Sequence, residues 1–79
     1  MRKRDLEIAP VAAPHFLRLS PDVRWQLLEA LDRLAADPYL RDLQEEDGED
    51  FILVGSYVIL VEVSDYTVNV LGLKKHMAN

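Results

Sequence analysis

The feature that most constrains this chain is a nearly continuous apolar run over residues 50–75, DFILVGSYVILVEVSDYTVNVLGLKK. It is interrupted only at positions 55–56 and 64–65, and it contains no Lys or Arg before Lys74. The pieces between the interruptions have the length and the β-branched content of strands. The run therefore predicts three successive antiparallel strands, with the middle one, residues 57–63, apolar enough to be covered on both faces or nearly so.

The length of 79 residues predicts one domain over residues 1–79. A domain of this size buries roughly 60% of its unfolded surface and is only marginally stable, so a partner that completes its core is an open alternative. The chain has no Cys, which excludes disulfides and thiolate chemistry. The basic start meets Asp5 and Glu7 where a signal peptide would be apolar, and no run approaches the ~20 residues of a membrane span. We expect a cytoplasmic protein with no membrane contact.

The residues before the apolar run predict one strand and two helices. Residues 4–11, RDLEIAPV, alternate in part and predict a first strand ended by Pro10. Residues 12–19 are compatible with a short helix. The expected order is β-α(α)-β-β-β, an α+β domain whose antiparallel sheet is covered by helices on one face.

The clearest helix is SPDVRWQLLEALDRLAADP, in which Ser20 is a good N-cap and the Asp-Pro pair at 37–38 ends the helix. We expect an i,i+4 ion pair between Glu29 and Arg33. Residues 39–50 predict a polar loop. The apolar stripe of the helix consists of Val23, Leu27, Ala30, Leu31 and Leu34.

Two segments resemble the RelE/ParE toxin superfamily of type II toxin-antitoxin systems. LSPDVRWQLLEALDRLAADPY, residues 19–39, is similar to the second helix of that family. VGSYVILVEVSDYTVNVLGLKKH, residues 54–76, is similar to its Val-Gly-Asp-Tyr-Arg hairpin with a basic segment behind it. The resemblance implies a RelE/ParE-like fold and a cytoplasmic toxin paired with an antitoxin protein. RelE-like members cut mRNA on the ribosome, and ParE-like members poison DNA gyrase.

The resemblance also shows which functional residues differ. Gly55 and Tyr57 match the turn glycine and the aromatic after it, but Val58 and Leu53 stand where the family usually carries Arg. Phe51 lies near a further polar or basic position. Many members have a Tyr near the end of the chain, and this sequence, which ends in HMAN, has none there. The usual Gly-His-Arg pattern of that segment is not preserved either.

The remaining candidates for catalysis are Lys74, Lys75 and His76, which fall in the basic terminal segment of the family. His and Lys can act as general acid and base, but RNA cleavage also needs cations aimed at the scissile phosphate. The alternative is a solvated basic tail. We expect a diverged toxin-like protein that acts through contacts with an antitoxin, with itself or with a macromolecular target. The other hypotheses are an active ribosome-dependent mRNA endonuclease and an unrelated small α+β module.

Trp25 lies roughly 160° around the helix from Leu27, at 100° per residue, and therefore away from the apolar stripe. Trp is enriched at interface centres, so Trp25 and its neighbour Leu28 are candidates for partner binding. The equally weighted alternative is that Trp25 packs on the short helix at Phe16 or Leu17.

The basic residues Arg2, Lys3 and Arg4 begin the first strand. If that strand lies antiparallel beside the last one, they share an edge with Lys74 and Lys75 and form a candidate site for phosphate or an acidic peptide. The alternative is two separate, solvated termini. The net charge of -5 argues against general nucleic-acid binding.

No cofactor or metal site is expected. The acidic residues 42–50 lack the alternating ligands of a calcium loop and predict a solvated segment. His15 has no second ligand nearby in the sequence, and no phosphate loop, dinucleotide fingerprint or Ser-His-Asp set is present.

Overall fold

The computed structural model describes residues 3–75 of the chain. These residues form two helices packed on one face of a five-stranded sheet with the strand order β1-β5-β4-β3-β2. The elements are β1 (Asp5–Ile8), α1 (Ala13–Leu17), α2 (Pro21–Ala36), β2 (Gln44–Glu46), β3 (Glu49–Val54), β4 (Tyr57–Val63) and β5 (Thr67–Lys75). The α+β architecture with helices on one sheet face is the one expected from the sequence.

Helix α2 begins and ends where its local sequence predicts. The Ser20 hydroxyl accepts the backbone N–H of Val23 at 3.4 Å, and Pro21 occupies the first turn. Asp37, which precedes Pro38, is extended and ends the helix. Val23 is only half-buried, whereas the other four positions of the predicted stripe are buried.

The hydrophobic core lies between α2 and the three apolar strands. Leu31, Ile59, Val68 and Val70 have no exposed surface. Side chains alternate across a strand, so the sequence neighbours of Ile59, Val68 and Val70 lie on the opposite face of the sheet. The core consists of Ala12, Phe16, Leu27, Ala30, Leu31, Leu34, Ala35, Ile52, Ile59, Val61, Val68 and Val70.

A tight turn at Gly55-Ser56, the first interruption of the apolar run, joins β3 to β4. Val54 pairs with Tyr57 across a two-residue loop. Gly55 has φ +57°, and Ser56 is not among the residues with positive φ. This pattern is that of a type II′ turn, which places Gly at the first central position.

The prediction of a polar loop over residues 39–50 was wrong in its second half. Residues Gln44–Glu46 form an edge strand that pairs antiparallel with the start of β3. Asp47 and Gly48 form the turn, with φ values of +53° and +79°. Asp-Gly is a strong hairpin signal, but the acidic, fully exposed strand β2 lacks the apolar alternation by which strands are usually identified.

The first strand lies beside the last one but runs parallel to it. Asp5 pairs with Thr67 and Ile8 with Val70. The Asp5 backbone N–H donates to the Tyr66 carbonyl at 2.8 Å, which joins the start of β1 to the start of β5. The antiparallel arrangement considered from the sequence is therefore wrong.

Strand β4 is central, and its two faces are covered to different extents. Ile59 and Val61 are buried under the helices, whereas Val58 and Leu60 on the other face are half-buried and Glu62 is exposed. The second face is therefore covered in part, which is less than the expected cover on both faces or nearly so.

Candidate functional site

The outer face of the sheet, opposite the helices, is unusually apolar for a surface. Phe51 pairs with Leu60, and Leu53 pairs with Val58. Leu53 is 49% exposed, and Leu71, which lies at a register shift in β5, is 41% exposed. We call the surface formed by Phe51, Leu53, Val58, Leu60 and Leu71 the open apolar face.

Gly72 on β5 lies next to Leu60 of the open apolar face. Gly72 pairs with Leu60, and a Cβ atom at Gly72 would lie 3.4 Å from the Cδ1 atom of Leu60. The Leu60 side chain therefore lies beside the backbone of the neighbouring strand.

Three residues in register cross the open apolar face from β3 to β5. Leu53 lies opposite Val58, and Val58 lies opposite Lys74. We call this set the cross-strand row. Two of its positions are those at which the sequence resemblance would place Arg. Lys74 is the one basic residue of the cross-strand row.

The candidate catalytic residues are only partly brought together. Lys75 pairs with Tyr57, one position beyond Lys74, so the two lysines point to opposite faces of the sheet. Both are exposed. His76 lies outside the described residues.

The proposed cluster of basic residues from both ends of the chain is not formed by the described residues. Because β1 is parallel to β5, Arg4 lies near the start of β5 and Lys74 near its end. Seven residues at ~3.3 Å each separate Thr67 from Lys74 by roughly 23 Å. Arg2 lies outside the described residues.

The two described basic residues before β1 also have structural partners. The Arg4 Nε donates to the Ser64 carbonyl at 2.7 Å, and its Nη1 donates to the Asp37 carbonyl at 3.3 Å. Lys3 forms an ion pair with Asp32. Arg4 thus ties β1 to the β4–β5 turn and to the end of α2.

Trp25 is exposed rather than packed on the short helix. It is 69% exposed and lines an apolar surface cavity of about 350 Å³ with Leu6 and the half-buried Leu28. Glu29 and Asp32 border the same cavity. Of the two alternatives for Trp25, the structure agrees with the exposed one.

Sequence reasoning missed a second cavity, which two arginines line. Arg33 on α2 and Arg41 in the loop before β2 border a cavity of about 430 Å³. The expected ion pair between Glu29 and Arg33 is not formed. Glu29 instead borders the Trp25 cavity. No sequence motif joins these two arginines, and only their shared cavity identifies them.

Within residues 3–75, no group of three or more His, Cys, Asp or Glu side chains is arranged to hold a metal ion. No helix in this part of the chain is long and apolar enough to cross a membrane.

Comparison with solved structures identifies the fold. No protein-family model matches the sequence, and no curated protein matches it significantly. The structure is similar to a chain of the toxin-antitoxin complex RelBE2 from Mycobacterium tuberculosis, with a TM-score of 0.79 and 21% identity over 95% of this chain and 100% of that one. It is also similar to a chain of the RelE–RelB complex from Pyrococcus horikoshii, with a TM-score of 0.75 and 20% identity over 94% and 96% of the two chains. This chain has a RelE-like fold.

The RelE-like fold confirms the resemblance that residues 19–39 and 54–76 indicate, and it confirms the predicted α+β class. Within this fold, the cross-strand row lies on the sheet face that the helices leave open.

Proposed function

We propose that this chain is the toxin-like component of a cytoplasmic toxin-antitoxin type system, formed by one domain over residues 1–79, and that it acts through protein contacts. The observation that carries the proposal is the cross-strand row, in which Leu53 and Val58 are apolar and only Lys74 is basic. The sequence resemblance implies Arg at those two apolar positions. The similar solved chains come from toxin-antitoxin complexes, which supports an antitoxin as the partner.

Electrostatics explains why the apolar row argues against RNA cleavage. In the reaction, the 2′-hydroxyl loses a proton while negative charge develops on the phosphate, and positioned cations usually supply much of the stabilisation. Leu53 and Val58 cannot supply it. Lys74 and Lys75 are on opposite faces of the sheet, so at most one of them can reach a phosphate bound on the open apolar face.

The second candidate function is a ribosome-dependent mRNA endonuclease that uses Lys74, Lys75 and His76. One observation favours it: Lys74 lies on the open apolar face, in register with the positions of the family arginines. A gyrase-directed toxin is the corresponding hypothesis for the ParE-like branch of the family.

Induced expression in bacteria separates these functions. We expect normal growth and unchanged incorporation of radiolabelled amino acids and thymidine, because the strand cations are absent. A variant with Lys74→Ala, Lys75→Ala and His76→Ala is the matched control, and circular dichroism of the purified protein verifies that the chain is folded. A rapid stop in protein synthesis that this variant relieves would establish the endonuclease instead. An early stop in thymidine incorporation would point to gyrase.

The partner surface that we propose contains Trp25 and Leu28, and the partner is an antitoxin protein or a second copy of the chain. A large aromatic side chain that is 69% exposed beside an apolar cavity is a suitable anchor. Glu29 and Asp32 on its border favour a partner with basic residues around an apolar centre.

We expect Trp25→Ala to weaken assembly at least about 30-fold, which corresponds to about 2 kcal/mol for an interface anchor, without unfolding the monomer. Analytical ultracentrifugation over a concentration series measures self-association, and affinity capture with the purified chain measures partner binding. Because Trp25 is the only Trp, its fluorescence also reports directly on whether the surface becomes covered.

The matched control for this experiment is Tyr66→Ala, which removes an aromatic side chain that is also 69% exposed, in the turn between β4 and β5. Equal assembly of wild type and Trp25→Ala, or an equal loss in both variants, would place the interface elsewhere.

A further inference from the structure

The cavity lined by Arg33 and Arg41 lies between the second half of α2 and the β2–β3 hairpin. Its volume of about 430 Å³ exceeds that of the Trp25 cavity, and Gln44 and Asp42 add polar groups to its border. Ala30 and Ile52, both buried, lie at its base. The cavity therefore combines an apolar floor with a polar and cationic border.

Neither arginine forms a salt bridge within the described part of the chain. The ion pair within residues 3–75 joins Lys3 and Asp32, and Asp42 forms none with either arginine although it borders the same cavity. The guanidinium groups of Arg33 and Arg41 also donate no hydrogen bond to a described protein acceptor, in contrast to those of Arg4 and Arg24. Their donors are available to a ligand.

The backbone at Arg41 is held in place by the end of α2. The Asp37 carboxylate accepts the backbone N–H of Arg41 at 3.0 Å and that of Tyr39 at 2.9 Å. These hydrogen bonds, with that from Arg41 foremost, lower the pKa of Asp37. The Arg41 guanidinium carbon lies 5.2 Å from the centre of the Tyr39 ring. This arrangement limits the freedom of Arg41 before any ligand binds.

The acidic residues near Arg33 and Arg41 determine which kind of anion the two arginines can bind. The guanidinium fork suits carboxylates and phosphates alike. The adjacent β2–β3 hairpin is strongly acidic, however, and a strand of RNA with a charge at every phosphate would be repelled there. A single anionic group on a segment that also carries basic residues fits both the arginines and their acidic neighbours. The acidic residues of the hairpin are Glu45, Glu46, Asp47, Glu49 and Asp50.

We propose that Arg33 and Arg41 bind a carboxylate of a protein partner, an Asp or Glu flanked by basic residues that contact the acidic β2–β3 hairpin. The proposal rests on the function through protein contacts proposed above and specifies the chemistry of the partner. It adds a second contact surface to the one at Trp25: Arg33 lines this cavity, whereas Glu29, one turn earlier on α2, borders the Trp25 cavity.

The test uses the full chain and two short capped peptides, Ac-KAEAK-amide and Ac-KAQAK-amide, at low ionic strength, where surface charges are least screened. The probe is the NMR signal of each arginine Nε–H group. We expect saturable shifts at Arg33 and Arg41 with the Glu peptide at millimolar concentration. Binding of the Gln peptide is expected to be at least about tenfold weaker, because it lacks the charge-assisted hydrogen bonds.

The variant Arg33→Gln/Arg41→Gln is expected to lose the response to the Glu peptide, whereas the control Arg18→Gln, which changes an exposed arginine next to α1, retains it. Both arginines of the site are exposed, so the double variant is expected to fold normally, which circular dichroism verifies. Arg33→Lys/Arg41→Lys keeps the charge without the fork, and we expect it to bind more weakly than wild type.

Three outcomes would overturn the proposal: no saturable shift, equal binding of the Glu and Gln peptides, or tighter binding of a short oligoribonucleotide than of the Glu peptide. The last result would assign the arginines to nucleic acid. These readouts do not depend on toxicity. A toxic chain that is relieved by the Lys74, Lys75 and His76 variant would refute the proposed function while leaving the carboxylate site to be judged by the peptides.

Discussion

Leu31→Ala is expected to destabilise the domain by about 2–5 kcal/mol, the range measured when a buried leucine is truncated to alanine. Leu31 has no exposed surface and lies in the middle of α2, where it faces the apolar strands. A chain of 79 residues has a total stability on the order of 4–12 kcal/mol, from about 0.05–0.15 kcal/mol per residue. The truncation therefore removes a large part of it, and a substantial unfolded population is the expected result.

Urea denaturation followed by circular dichroism measures this effect. Leu53→Ala is the matched control, since it makes the same chemical change at a residue that is 49% exposed on the open apolar face. Its expected cost is at most about 1 kcal/mol, because less apolar surface returns to water and little cavity is left. Equal costs for the two variants would mean that the open apolar face is covered in solution.

Arg24→Ala is expected to cost about 1.5–3 kcal/mol, the range for hydrogen bonds that involve a charged group. The Arg24 Nε donates to the Phe16 carbonyl at 3.1 Å, and its Nη2 donates to the carbonyls of Leu17 and Leu19 at 3.4 and 3.0 Å. These carbonyls lie at the end of α1 and just after it, where a helix leaves acceptors without partners. Arg24 therefore fixes the short helix α1 against α2.

The same denaturation experiment tests this prediction, with Arg18→Ala as the control for the loss of a charge at an exposed position nearby. Arg24→Lys is expected to recover only part of the loss, because an ammonium group cannot reproduce the planar fork. If Arg24→Ala and Arg18→Ala have the same stability, the three hydrogen bonds contribute nothing measurable in solution.

The elements that the sequence predicts well are those whose causes lie close together along the chain. Ser20 and Pro21 start α2, the Asp-Pro pair at 37–38 ends it, and the helical period orients its buried face. Gly55 supplies the positive φ that the β3–β4 turn requires. Strand β2 also has a local signal, the Asp47-Gly48 turn. Its residues are polar, however, because the strand is held by backbone pairing with β3 and not by burial, so no apolar pattern identifies it.

The candidate sites were harder to predict, because they depend on which residues meet across the fold. Arg4 and Lys74 are far apart because β1 runs parallel to β5. The alternation of side chains along a strand is the same for parallel and antiparallel pairing, so it does not predict this direction. The register of β5 on β4 places Lys74 beside Val58 and puts Lys75 on the other face. The shared cavity of Arg33 and Arg41 has no counterpart in the spacing of the two residues along the chain.

Residue type and local period therefore predict the class of the fold and the limits of α2, and the resemblance alone suggests that Leu53 and Val58 stand at positions of Arg. The folded structure was needed to establish that β1 is parallel to β5, that Trp25 is exposed and that Arg33 and Arg41 share a cavity. The physical reason is that pairing direction, register and the meeting of distant side chains are set by how the whole core packs. No short stretch of sequence contains that information.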